Sequence, residues 1–307
     1  MTLPPDIRVF ERGWLSSNNI LLLGGKDAAL VDSGYATHSG QTVGLVAHAL
    51  DGQPLRTLVN THLHSDHCGG NAALQARYPG LRTLIPPGQA EAVRRWDETT
   101  LTYAPTGQLC PRFAFDDLLH PDTEVELGAR RWQVHAAPGH DPHSLILFQP
   151  DLRLLVSADA LWENGFGVVF PELEGVSAFA EVGATLDLIE SLRPALVIPG
   201  HGAPFADVAG ALERARRRLA QFSTEPPRHA RYAAKVLFKF KLLEQQRMAQ
   251  AELLRWAEAT PYLRQLHQTH GDGLEMRVWL QELLADLLRS DAAQLQDSPS
   301  GPLVLNA

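Results

Sequence analysis

Apolar residues fall into short runs of four to six over roughly the first two thirds of the chain, then shift to helical spacing. Asn19 to Leu23 and Ala28 to Asp32, joined by Gly24-Gly25-Lys26-Asp27, form a hairpin pattern. Thr42 to Leu50 has the spacing of a helix that would cover the sheet. Leu55 to Asn60 reads as a short buried strand, and Asn71 to Tyr78 as a helix stopped by Pro79-Gly80. The runs Trp132–Ala137, Leu152–Val156 and Ala195–Ile198 also read as strands, the last followed by a helix over Val208–Phe222. This order predicts an α/β domain.

After Phe222 the pattern changes. Ser223-Thr224-Glu225-Pro226-Pro227 reads as a linker. Tyr232–Leu243, Ala249–Ala257 and Leu274–Leu288 carry helical stripes, with Met276, Leu280, Leu283 and Leu287 on one line. Ala293 to Leu305 reads as a hairpin around Ser298-Pro299-Ser300-Gly301. The expected domains are residues 1–225 and a helical region over 226–307. His267 and His270, beside Gly271-Asp272-Gly273, read as surface histidines at a helix end. The tail holds no ligand-type residues at metal spacing, so it is expected to shape the site's entrance and not to supply catalytic groups.

The chemistry lies just past the β-like runs, where loops gather side chains from distant segments. Thr61-His62-Leu63-His64-Ser65-Asp66-His67 packs three histidines and a carboxylate into six positions, His62 to His67. Imidazole and carboxylate suit zinc and similar divalent ions. In an extended segment alternate side chains point the same way, so His62 and His64 can grip one ion. The loop then turns, and Asp66 and His67 can face a second. His140 in Pro138-Gly139-His140, Asp159 in Ser157-Ala158-Asp159 and His201 in Pro199-Gly200-His201-Gly202 stand at the ends of later runs.

On these motifs the chain resembles the metallo-β-lactamase superfamily over about its first two thirds. The resemblance implies an αββα sandwich with a two-metal cleft at one edge. It implies that His62, His64 and His140 hold one metal, that Asp66, His67 and His201 hold the other, and that Asp159 bridges. Leu30-Val31-Asp32-Ser33-Gly34 is similar to the family's early motif, whose aspartate supports the metal loop. Gly139-His140-Asp141-Pro142-His143-Ser144 departs from the family's GHTxGH pattern by placing Asp141 where threonine is usual. The C-terminal helices and hairpin resemble the small winged-helix appendage some members carry.

Two divalent ions, zinc or else iron or manganese, would generate a bridging hydroxide at neutral pH. Asp66 would orient it and carry the proton to the leaving group. His143, Trp162, Phe166 and Phe170 are candidate substrate-lining residues, and the aromatic, proline-rich segment from Arg94 to Pro121 is a candidate wall. Such machinery hydrolyses esters, thioesters, lactones, amides or phosphodiesters, and the expected substrate is a small-molecule ester, thioester or lactone. The alternatives are a single-strand endoribonuclease and a regulatory member with a capped cleft. His64, where flavin-linked relatives carry glutamate, argues against that branch, and Asp159 argues against the antibiotic-degrading branch.

Composition adds limits. The chain has 307 residues, is 45% hydrophobic and carries a net charge of −8, so nothing draws it generally to nucleic acid or anionic lipid. Ten basic residues against three acids between Leu212 and Arg247 read as the solvated side of amphipathic helices. The two cysteines, Cys68 and Cys110, form no CxxC pair, and Cys68 reads as a small buried filler. No apolar run reaches the roughly 18–20 residues of a membrane span. With no basic, apolar leader at the N-terminus, the expectation is a cytoplasmic protein acting on a small molecule, without a membrane partner, with a second copy of itself as a candidate partner and nucleic acid a less favoured one.

Overall fold

The computed structural model describes residues 3–271, 273–299 and 301–307. It divides into two compact units. One takes the chain up to Tyr103 together with Leu109–Gln221; the other takes Ala104–Gln108 with Phe222–Ala307.

The first unit is built on two sheets. Six strands, β1 (Ile7–Phe10), β2 (Asn19–Leu22), β3 (Ala28–Val31), β4 (Leu55–Val59), β5 (Arg82–Ile85) and β6 (Asp117–Leu118), run in chain order across the first. Five more, β7 (Thr123–Leu127), β8 (Arg130–Ala136), β9 (Leu145–Gln149), β10 (Leu154–Ala158) and β11 (Leu196–Pro199), form the second in the order β11-β10-β9-β8-β7.

Strand periodicity explains the layers. Ile20, Leu22, Ala29, Val31 and Val59 of the first sheet share one buried cluster with Trp132, Val134, Leu147, Val156 and Ile198 of the second. Their alternates Leu21, Leu30 and Leu58 pack instead with Val46, Ala49 and Leu50 of the helix Ser39–Leu50 and with Leu74 of the helix Asn71–Arg77. Along the second sheet, Thr185 of the helix Phe179–Leu192 donates to the Pro138 carbonyl at 2.8 Å. The expected sandwich is present, including the β2–β3 hairpin. The helix Phe179–Leu192 was not anticipated, because its apolar positions are diluted by Glu181, Gly183 and Asp187.

The parallel strands β3, β4 and β5 point their C-terminal ends the same way. The histidine-rich loop leaves β4, and Asp159 and His201 follow β10 and β11, which are also parallel. Loops from both sheets can therefore meet at one edge.

The second unit contains the helices Pro226–Gln245, Gln250–Ala259, Pro261–His270 and Met276–Arg289. It also holds a three-stranded sheet in the order β12 (Arg247–Ala249), β14 (Leu303–Asn306), β13 (Ala293–Gln296). The β13–β14 hairpin matches expectation; β12 and the helix Pro261–His270 were not foreseen. His267 and His270 lie in that helix's last turn. Asp272 and Ser300, in two expected turns, and the first two residues of the N-terminal segment lie outside the described residues.

The expected linker is not a linker. One helix runs to Thr224, Glu225 alone breaks it, and Pro226-Pro227 open the next. Proline suits a first helical turn, where its missing N–H has no partner to lose. Among the described residues no helix is long and apolar enough to cross a membrane.

Candidate metal centre

The loop after β4 is fixed before its histidines can act. Asp32 adopts a left-handed backbone, φ 57°, at the end of β3. Its Oδ1 accepts the Thr61 N–H at 2.9 Å, and its Oδ2 accepts the Thr61 hydroxyl and the His67 Nδ1–H, both at 2.8 Å. Asn18 holds the loop after β11, its Nδ2 donating to the carbonyls of Pro199 (2.9 Å) and Gly202 (2.7 Å). Asp159 follows Ala158, which also has positive φ, 46°, where the β10–β11 register shifts. Such an irregularity re-aims the side chain that follows. Gly200 leaves room for Asp159: a Cβ there would lie 2.1 Å from Asp159 Oδ1.

These devices bring all seven expected residues together in the first unit, in two groups. His62, His64 and His140 form one; Asp66, His67, Asp159 and His201 form the other, and within each the candidate ligand atoms lie within 4.8 Å of one another.

Hydrogen bonding fixes which nitrogens face inward. Thr61 gives its hydroxyl proton to Asp32, so it can only accept from His62 Nδ1, 3.2 Å away. His140 Nδ1–H donates to the Val168 carbonyl at 2.5 Å. The Nε2 atoms of both rings are then bare, and both face His64 Nδ1, at 3.0 and 2.8 Å. One proton on His64 can satisfy only one of them. In the second group His67 and His201 donate their Nδ1–H outward, to Asp32 and to the Gly13 carbonyl. The buried His67 Nε2 has no hydrogen-bond partner. Inward lone pairs with outward N–H donors suit metal ions.

The charge pattern agrees. Burial first, then the neighbouring histidines, holds His62 well below the usual imidazole range and brings His64 down to about 4. A neutral imidazole is the form that binds metal. Burial would also lower His67 and His201, but Asp159, with Asp66 and, at His67, Asp32, outweighs it and raises both. Burial likewise works to raise Asp66 and Asp159, yet the surrounding histidines carry both carboxylates lower. In the second group the two ionised carboxylates draw protons onto His67 and His201, positive charge that a bound cation would replace as those protons leave.

Asp159 faces both groups. One oxygen is 3.4 Å from His67 Nε2; the other is 3.5 Å from His140 Nε2 and 3.8 Å from His201 Nε2.

A profile for the metallo-beta-lactamase superfamily matches residues 12–201. The chain belongs to this superfamily. Similar proteins include a hydroxyacylglutathione hydrolase of Anaeromyxobacter dehalogenans, 34% identical over 50% of this chain and 51% of that one. Another hydroxyacylglutathione hydrolase, from Brucella anthropi, is 25% identical over 75% and 74% of the two chains. The chain therefore spans only about half the length of the first relative. Among solved structures, a superfamily protein of Thermus thermophilus matches over 100% of both chains, with a TM-score of 0.58 and 19% identity. That likeness shows the fold.

The flanking aromatics divide. Trp162 Nε1–H donates to Asp159 Oδ1 at 3.2 Å, and the Phe170 ring meets the His64 and His140 rings edge-on at 5.0 and 5.7 Å. Phe166 is 1% exposed and borders a small cavity beside His140 and Asp159. His143 donates its backbone N–H to Asp141 Oδ1 at 2.8 Å, while Asp141 Oδ2 lies 3.9 Å from His64 Nε2. The segment from Arg94 to Pro121 is not simply a wall: Leu101, Tyr103, Cys110 and Phe113 pack with Leu63 and Cys68 beneath the metal loop.

Sequence reasoning missed Trp14, which is 53% exposed and stacks on His201 at 5.4 Å, and Asn18. The polar run Ser16-Ser17-Asn18-Asn19 between two strands was the available signal.

Proposed function

We propose that this protein is a two-metal hydrolase of small-molecule esters, thioesters or lactones. The observation that carries this reading is Asp159, whose two oxygens reach histidines of both ligand groups. His62, His64 and His140 would hold one divalent ion, Asp66, His67 and His201 the other, and Asp159 both. Zinc suits these donors, as do iron and manganese. The ions would supply Lewis acidity and lower the pKa of water toward about 7.

The chain's own groups then have defined tasks. Asp66, lying against His201 at 3.1 Å and partly open to solvent, is placed to accept a proton and pass it to a leaving group. Trp162 steadies Asp159. Trp14, Trp162 and Phe170 offer apolar surface beside the site for an acyl or alcohol portion. Thioesters of glutathione come first among substrates, since the similar proteins of Anaeromyxobacter and Brucella are named for hydroxyacylglutathione.

The ribonuclease reading loses its main support. The basic run is neutralised locally: Arg216 pairs with Asp187 and Glu190, Arg217 with Glu213, Arg214 with Asp207, and Arg231 and Lys235 with Asp286. Arg228 also pairs with Glu225 and Lys241 with Glu244, so seven of the ten basic residues have acidic partners that compete with a phosphate backbone.

The test is hydrolysis by the metal-loaded protein of lactoylglutathione, a lactone panel and single-stranded RNA, with and without chelator. Chelator-sensitive turnover of the first or second is expected. Cleavage of RNA alone, or turnover by protein shown by elemental analysis to be metal-free, would overturn the reading.

A further inference from the structure

Cys68 and Cys110 lie 42 residues apart in the chain, yet their sulfurs are 3.8 Å apart. Neither is used by the chemistry above. Cys68 follows the candidate ligand His67, closes the short helix Ser65–Cys68 and is fully buried. Its thiol lies 3.3 Å from the His64 carbonyl and 3.1 Å from the Tyr103 hydroxyl, which itself donates to the Leu63 carbonyl at 2.8 Å. The sulfur is therefore tied into the backbone of the loop that carries His62, His64, Asp66 and His67.

Cys110 differs. It keeps 6% exposure and sits in an irregular stretch between Tyr103–Thr106 and β6, outside any helix or strand. A disulfide needs the sulfurs at about 2.05 Å, so one must move by roughly 1.8 Å. The Cys110 segment has no ladder of its own to break, whereas Cys68 is held in a helical turn. An oxidant meets Cys110 first.

We propose that Cys68 and Cys110 are an oxidisable pair that hydrogen peroxide converts to a disulfide, loosening the metal loop. The Cys110 sulfur attacks one peroxide oxygen, the O–O bond breaks, and water leaves with the thiol proton. Cys110 is then a sulfenic acid. The Cys68 sulfur attacks Cys110 Sγ, the S–O bond breaks, and a second water carries away the Cys68 proton. Two thiols lose two electrons in total, and one peroxide becomes two waters. The bond removes the Cys68 S–H beside the His64 carbonyl and pulls on the residue next to His67. The cross-link follows from the sulfur geometry alone; its effect on metal rests on the two-metal reading.

The experiment treats the full-length, metal-loaded protein with stoichiometric peroxide. Expected are a mass loss of two hydrogens, a peptide linking Cys68 to Cys110, and no free thiol after denaturation. Metal transfer to a competing chelator should quicken by about tenfold or more, the scale of losing a group that supports a ligand, and dithiothreitol should reverse it. Cys110→Ser and Cys110→Ala should keep their metal under the same treatment; two variants guard against one that folds poorly. Separate sulfinic acids without the linked peptide would overturn the pair. A linked peptide with unchanged metal transfer would overturn the loosening. Metal absent before any oxidation would count against the two-metal reading, and the linked peptide would still decide the pair.

Discussion

Asp32 Oδ2 lies 2.8 Å from His67 Nδ1, and both side chains are buried. The same carboxylate takes both hydrogens that Thr61 offers. One residue at the end of β3 therefore sets the tautomer of His67 and the path of the loop after β4. Asp32→Asn keeps the shape but loses a charged acceptor. Metal affinity of the second group should fall by about 10- to 100-fold, with metal content dropping from two ions toward one. Chelator competition with elemental analysis checks this; two tightly held ions in the variant would refute it.

Asp66→Ala and Asp159→Ala should differ in kind. Asp66 belongs to one group, so its loss should spare the ion at His62, His64 and His140. Asp159 faces both, so its loss should weaken both ions. Turnover should fall in each by at least about 100-fold, the usual contribution of a positioned acid or base. Metal stoichiometry measured beside kcat separates the two; equal stoichiometry would remove the bridging role of Asp159.

Trp162 touches Asp159 through a single N–H. Trp162→Phe keeps most of the ring and deletes that donor. A hydrogen bond to a charged group contributes roughly 1.5–3 kcal/mol, so kcat should fall by about 10- to 100-fold with KM little changed. Trp14→Ala removes exposed apolar surface stacked on His201 and should raise KM instead. Steady-state kinetics on one substrate compares both. A KM effect confined to Trp162→Phe would reverse these assignments.

His229 gives the second unit a pH limit. Burial, then the nearby His270, lowers its pKa from 6.5 to about 4. The folded value lies below the unfolded one, so the stability tied to the neutral ring is present above pH 6.5. It is lost as pH falls from 6.5 toward 4, because the unfolded chain takes up the proton first. At pH 5 the loss should be about 2 kcal/mol. His229→Gln should remove it, seen as a smaller difference in denaturant midpoint between pH 7 and pH 5. An unchanged difference would show that His229 does not carry the effect.

Much of this protein was legible in its sequence because its signals are local. The period of two in β2, β3 and β4 decided which residues face the other sheet and which face helices. His62, His64, Asp66 and His67 lie within six positions, so their meeting required little of the fold. Glycines and prolines around His140 and His201 marked turns just past strands.

Other features depended on packing between distant segments. Phe166 and Phe170 stand four positions apart with similar composition around them, yet Phe166 is buried to 1% exposure while Phe170 meets the His64 and His140 rings edge-on. Pro226-Pro227 read as a break but starts a helix, because a first turn asks nothing of the proline nitrogen. The neutral state of His62 and His64, the reach of Asp159 to both groups and the approach of Cys110 to Cys68 were decided by tertiary structure alone. Burial and proximity between groups tens of residues apart set charge and reactivity, and neither is a property of neighbouring positions in a chain.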